Sequence, residues 1–384
     1  MLRDVGLLLL LNLAVCSSCT AYAAGRKATA DGFVLVSHSD DGAGASDPRA
    51  SMVPAADHPA GSRRPIWPDL EDWPRFIGHD RGLTYEPQDG QGETQPIGSI
   101  PQVEHTHAYL DGNYAVQNDC DLMFGESTAS APFRTVAVGE PGGVALFSVN
   151  ELTRVAAERV CSAREAVQLM GDLAETYGFY GADGGAGEVL MVGDAEEAFV
   201  FHILSDDTGA SAVWVAQRVP DDHVAVAANM FTIREVDLED SFNFLGSGGM
   251  HALALKYGLW DGRGLLSFTD AFSGGEYSNR YYSGRSRIAP PPTLLSRHTL
   301  LQRHAATARC HRRCHRLTLP HAATRCCIPA PRLTPCVSAR NSAPGASGTA
   351  TAASRPRSGC QLSTPTSSRT GPTLSACVSI ASSP

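Results

Sequence analysis

Cys19 carries the first chemistry in the chain. It follows the segment 2–18, LRDVGLLLLLNLAVCSS, in which one arginine precedes an apolar run from Gly6 to Val15 and small residues close the stretch. That is the layout of a cleavable secretion signal. A cut after Ser18 would leave Cys19 with a thiol and an α-amino group on one residue. An α-amine of pKa about 8 can take the thiol proton near neutral pH, and a nucleophile carrying its own base is a route to covalent acyl transfer without a histidine. By position alone the same cysteine also reads as a disulfide partner or a lipid-attachment point. Ala21-Tyr22-Ala23 offers a second cut of the A-x-A type, which would discard Cys19.

A second grouping lies far downstream. ARCHRRCHR sets Cys310, His311, Cys314 and His315 at ligand-like spacing, but structural zinc sites pair their ligands inside a folded unit. Residues 286–384 contain 13 arginines and no lysine, acid or aromatic residue. Such a tail lacks the apolar period and side chains needed to offset chain entropy, so compositional bias is the better reading and no metal is expected. The abrupt change at Ser286 suggests a shifted reading frame or a read-through intron.

The elements that must position Cys19 come from the body of the chain. Residues 19–24 and 33–38 alternate small, polar and branched side chains around Asp31-Gly32, which predicts a hairpin. The Gly-, Pro- and Asp-rich stretch 37–78 reads as long loop. Strands are expected in HTHAYLDGNYAVQND, around a turn at Asp111-Gly112, and in DLMFGEST. In 149–177, Leu152, Val155, Ala156, Val160, Ala166, Leu169, Met170 and Leu173 recur at helical spacing. Ser162 and Glu165 form a capping box that would restart the helix. Four strands follow in EVLMVGD, AFVFHILS, AVWVAQRV and VAVAANMFTI, and 240–270 reads as helical or mixed with a break at Gly246 to Gly249. Strands, helices and more strands indicate an α+β domain with antiparallel sheets.

Charge and cysteine content narrow the class. The net charge of −9 becomes −22 when the tail's 13 arginines are set aside, leaving 18 basic against 40 acidic residues in 1–285. An acidic body argues against nucleic acid as a partner. No stretch after residue 18 reaches the roughly 20 apolar residues of a membrane span, so no membrane association is expected once the signal is removed. Four cysteines lie in 1–285, and with Cys16 in the signal and Cys19 assigned to chemistry, Cys120 and Cys161 are the two left that could pair.

The segment CTAYAAGRKATADGFVLVSHSDDG resembles the start of the peptidase family C69 dipeptidases, which open on Cys-Thr followed by a Lys-Ala-Thr-x-Asp-Gly hairpin. The resemblance continues in order through DPRASMVPAADHPAGSRRPIWPDLEDWPRFIG, NDCDLMFGESTAS, RVCSAREAVQLMGDLAETYGFYG and WVAQRVPDDHVAVAANMFTI, covering about 19–285. It implies a domain over 19–285, truncated relative to the family and set between a signal peptide at 1–18 and the low-complexity tail at 286–384. The implied fold is the four-layer αββα N-terminal-nucleophile hydrolase fold, with two stacked antiparallel sheets between helical layers. The implied activity is cysteine-type hydrolysis of dipeptides through an acyl-enzyme, without metal or organic cofactor, in a secreted protein or in the lumen of a lysosome or vacuole. By the same resemblance Cys19 is the nucleophile, Asp41 the acid that holds its amine and thiol, Asn229 the side-chain oxyanion donor, and a backbone N–H near Thr128 the second donor. Asn118 corresponds to the asparagine of a family Asn-Glu pair, here Asn-Asp, counted with the substrate-binding residues although a structural role suits it better. Arg280 or Arg285 corresponds to a late arginine near the site. Relatives carry an arginine three residues before the acid; His38 stands there, with Ser39 where asparagine is usual, and protonated His38 would replace the cation. Two other functions fit the same pattern: an amidase acting on acylated amino acids, and an inactive secreted homologue.

Overall fold

The computed structural model describes residues 19–39, 50–69, 76–78, 87, 91–181 and 186–273, with the backbone of two further strands at 294–296 and 378–381. In chain order the first strands are β1 (Thr20–Ala24), β2 (Leu35–Ser39), β3 (Ser51–Val53), β4 (Ala56–Asp57), β5 (Arg63–Ile66), β6 (Gly98–Pro101), β7 (His105–Thr106), β8 (Tyr109–Asp111), β9 (Ala115–Asn118) and β10 (Met123–Ser130). Helices α1 (Val149–Arg159) and α2 (Ala163–Tyr177) come next. They lead into β11 (Ala186–Gly193), β12 (Ala198–Ser205), β13 (Ala212–Val219), β14 (His223–Ala227) and β15 (Phe244–Gly246). Two short helices, α3 (Met250–Lys256) and α4 (Phe268–Phe272), precede β16 (Leu294–Ser296) and β17 (Val378–Ala381).

The expected hairpin forms: β1 and β2 pair antiparallel with Ala21 opposite His38, and Gly32 in the turn takes φ 84°, a conformation open to glycine at no steric cost. The strand order of the first sheet is β16-β14-β1-β2-β17, so β1 is central. The second sheet runs β15-β13-β12-β11-β10-β9-β8-β3, with antiparallel pairing throughout. The period of two divides its side chains between two cores. Met123, Val189, Met191, Val200, Val213 and Val215 meet Ala21, Ala23 and Val36 of the first sheet. Phe124, Leu190, Phe199, Phe201, Ile203 and Trp214 point the other way, onto Leu152, Val155, Val167, Met170 and Leu173 of the two helices. The sheets approach closely at Gly125, where a Cβ would stand 3.3 Å from the Ser37 carbonyl oxygen and 3.4 Å from the His38 Cβ.

The helical stretch breaks where the capping box predicts. The Ser162 hydroxyl accepts from the Glu165 amide at 3.2 Å, and α2 starts on the next residue. The antiparallel α+β class is therefore observed. Among the described residues, α1 and α2 cover the second sheet, α3 and α4 contribute to the core that contains Ala21, Ala23 and Val36 of the first, and Tyr22 on the outer face of the first sheet is 41% exposed. The stretch read as loop also differs, for it contains β3, β4 and β5. Strands of two to four residues are too short to show a period, and these are set by partners remote in sequence.

The strongest of those partners surround α1. Arg64 of β5 donates to Glu158 through Nε and Nη2, both at 3.0 Å, and also to Glu151. Arg154 donates to Asp111 at 2.7 Å and to Glu151 at 3.3 Å. All five side chains are buried. Burial opposes the charge on both guanidinium groups, but the neighbouring carboxylates override it and raise both pKa values above the ordinary arginine range. The network fixes the segment around β5 to a helix whose polar residues would otherwise face water.

Candidate active site

The site lies where β1, β10 and the end of β14 meet. β1 and β14 pair with Ala21 opposite Ala227, and Cys19 and Asn229 each lie two residues beyond that pair. Cys19 is buried and not disulfide-bonded, and Asn229 is buried with φ 54°. Asparagine is among the few residues that visit this left-handed region readily, and the turn brings its side chain back towards β10.

Ser127 ties the two together. Its hydroxyl donates to the Cys19 carbonyl at 3.4 Å and accepts from the Asn229 amide at 2.8 Å. Asn229 Nδ2 then donates to the Thr128 carbonyl oxygen at 2.8 Å. Alternation along β10 turns Ser127 towards the first sheet and Thr128 towards the helices, where its hydroxyl donates to the buried Glu126 at 3.0 Å. Cys19, Asn229 and Thr128 are thus gathered as expected. The contact seen at Thr128 uses its carbonyl as acceptor, whereas the sequence pointed to a backbone donor.

His38 is also at this end of the molecule. It faces Ala21 across the strand pair, on the face turned to β10, with its ring 6.0 Å from that of Tyr114. Asn118 is placed differently, at the opposite end of β10. Its Nδ2 donates to the carbonyls of Ala157 and Val160 at 3.0 and 2.9 Å, and its Oδ1 accepts from the amides of Cys120 and Leu122 at 3.0 Å each. The side chain joins the end of α1 to the β9–β10 turn, the structural role that suited it better than substrate binding. The five strand positions from Met123 to Thr128 span about 17 Å. Asp41, Arg280 and Arg285 lie outside the described residues.

Sequence reasoning missed Ser127. Its signal was present in the alternation of GESTAS, which puts Ser127 and Thr128 on opposite faces, so that only one of them can point at β1. Cys120 and Cys161 form a disulfide, the pairing left open by the cysteine count.

A buried cysteine thus stands at the start of a central strand, joined through Ser127 to the backbone of the buried Asn229. Residues 123–288, from the first residue of β10 onward, match the family model described as Peptidase family C69. The resemblance read from the sequence thus holds, and over this stretch the chain is similar to family C69. The chain is 25% identical over 281 residues to a "Probable dipeptidase" of Salmonella dublin, covering 71% of this chain and 57% of the relative. It is 24% identical over 269 residues to a "Probable dipeptidase" of Latilactobacillus sakei, covering 70% and 51%. To "Dipeptidase A" of Lactobacillus helveticus it is 24% identical over 272 residues, covering 70% and 52%. The chain spans about half the length of the curated relatives it matches.

Proposed function

We propose that this chain is a cysteine dipeptidase of the N-terminal-nucleophile type, active once residues 1–18 have been removed. The observation that carries the proposal is the Ser127 hydroxyl, which fastens Cys19 to Asn229 although 210 positions separate them in sequence. The Cys19 α-amine takes the thiol proton as Sγ attacks the peptide carbonyl carbon. The tetrahedral oxyanion is met by Asn229 Nδ2, one of whose two hydrogens is directed to Thr128. Collapse breaks the C–N bond, the proton passes to the leaving amine, and a thioester remains on Cys19. Water then attacks the thioester and restores the thiol.

The relatives' dipeptidase names support dipeptides as the substrate class. His38, on the same sheet face as the nucleophile strand, is suited to meet the carboxylate of a short substrate when protonated. The Cys120–Cys161 disulfide supports an oxidising compartment, outside the cell or in a lumen.

The test is hydrolysis of a dipeptide panel, with acylated amino acids alongside, by chain beginning at Cys19 and by its Cys19→Ala variant. Dipeptide turnover should fall at least about 10³-fold in the variant, as expected when an essential nucleophile is removed. Full turnover without the thiol would end this reading, and acylated substrates turned over in preference to dipeptides would replace the substrate class.

A further inference from the structure

We propose a second site, remote from Cys19, at which His107, Cys120 and Cys161 bind a thiophilic divalent cation such as Zn²⁺ when their disulfide is reduced. Both sulfurs lie against one imidazole: His107 Nε2 is 3.4 Å from Cys161 Sγ and 3.9 Å from Cys120 Sγ, and Cys120 Sγ is 3.5 Å from Nδ1. Tetrahedral zinc with bonds of about 2.3 Å to sulfur and 2.0 Å to nitrogen has nitrogen–sulfur edges of about 3.5 Å. The Cys161 separation therefore already matches such an edge, and that of Cys120 is about 0.4 Å longer. The Cα atoms of the cysteines are 5.3 Å apart, so side-chain rotation after reduction can part the sulfurs around an ion.

The surroundings fix the imidazole for this use. Asp119 Oδ1 is 3.0 Å from His107 Nδ1, while Oδ2 accepts from the Ala108 amide at 3.2 Å. A carboxylate on Nδ1 keeps the proton there and leaves the Nε2 lone pair for a ligand bond, the arrangement that commonly supports metal-bound histidine. The His107 amide donates to the Glu158 carbonyl at 2.9 Å, which holds the residue to α1.

The site also survives loss of the disulfide. Asn118 ties the Cys120 turn to the carbonyls of Ala157 and Val160 at the end of α1, one residue before Cys161. Reduction therefore separates the sulfurs without releasing the two segments. Cys161 is exposed, and His107 lines a cavity of about 180 Å³ with His58, Gln102 and Thr106, so both reductant and ion have access. The four strand positions from Met123 to Ser127 keep the site about 13 Å or more from Cys19.

The chemistry balances. A dithiol donates two electrons and two protons, the Cys120–Cys161 bond breaks, and the donor becomes a disulfide. The ion then displaces both thiol protons to solvent and takes two thiolates and one neutral imidazole, with water in the fourth position. Two thiolates and one dication are neutral together, and one set of residues thus alternates between a covalent and a coordinate crosslink.

The experiment uses the full chain, reduced with a phosphine and freed of it, titrated with Zn²⁺ against a competing chelator and with Co²⁺ as an optical probe. Because the tail holds further cysteines, the quantity read is the difference between wild type and variants. His107→Ala and Cys161→Ser should each bind one equivalent fewer than wild type, with a matching loss of thiolate-to-cobalt absorbance. Asp119→Asn, which keeps all three ligands, should retain the equivalent with affinity lowered about 10- to 100-fold. Equal stoichiometry in wild type and His107→Ala overturns the site. Should that variant misfold, an unchanged affinity in Asp119→Asn overturns it instead.

Discussion

The Ser127 hydroxyl bonds to both Cys19 and Asn229, and it does so without chemistry of its own. Ser127→Ala leaves a buried Asn229 amide without its acceptor, a loss of about 1–3 kcal/mol where the amide must keep its place. Because that amide begins the residue bearing the proposed oxyanion donor, turnover should fall about 10- to 100-fold while the substrate KM changes little. Steady-state kinetics on a dipeptide, with circular dichroism to show retained structure, check this. At this scale the sequence pointed to the residues proposed to react more directly than to the one that joins them. Cys19 and Asn229 were named through family segments, whereas a serine in a strand resembles any other until its facing partner is known.

Among the elements, β1 has the largest consequence because it lies between β14 and β2. A cut after Ala23 would discard Cys19, the proposed nucleophile, and also four of the five residues of β1. The two neighbouring strands would then lose their common partner, and the inter-sheet core would lose Ala21 and Ala23. A chain expressed from residue 24 should therefore lack native near-ultraviolet circular dichroism, whereas one expressed from residue 19 should show it. Arg64 plays a comparable part for the segment around β5. Arg64→Leu would leave Glu151 and Glu158 buried with less compensation, a destabilisation of about 3–5 kcal/mol measurable by urea unfolding.

The elements differ in how legible they were, for physical reasons. The hairpin at Asp31-Gly32 and the restart of the helix at Ser162 rest on contacts within a few residues, and both were readable. The arginine network links positions 94, 87 and 43 apart, so nothing local marks it. It also buries Glu151, Arg154 and Glu158 on what the helical period presents as the wet face of α1.

For the whole molecule, buried His202 sets a pH dependence. It lies on β12 against Phe231 and Phe268, and its Nε2 accepts from the Thr232 amide at 3.3 Å. Burial pushes its pKa down to about 3. The unfolded ring, with a pKa of about 6.5, takes a proton below that pH while the folded ring does not. Stability is thus full above about pH 6.5 and falls as pH drops towards 3, by about 3 kcal/mol at pH 4.5 from this residue alone. Urea unfolding at pH 7.5 and pH 4.5 should show wild type losing that much more than His202→Asn. The same histidine makes an acidic lumen less favourable for this protein than a neutral extracellular setting.

The place of β1 also sets an order of events during synthesis. Ala21 pairs with Ala227, 206 residues later, so at about 5–20 residues per second β1 waits roughly 10–40 s for its second neighbour. Cys120 and Cys161 leave the ribosome within that interval, while the Cys19 thiol is still unburied. Asn118 recruits both of their segments across a span of only some 40 residues. Early closure of that local pair would remove the two sulfurs able to capture Cys19, leaving the thiol reduced when β14 arrives to cover it.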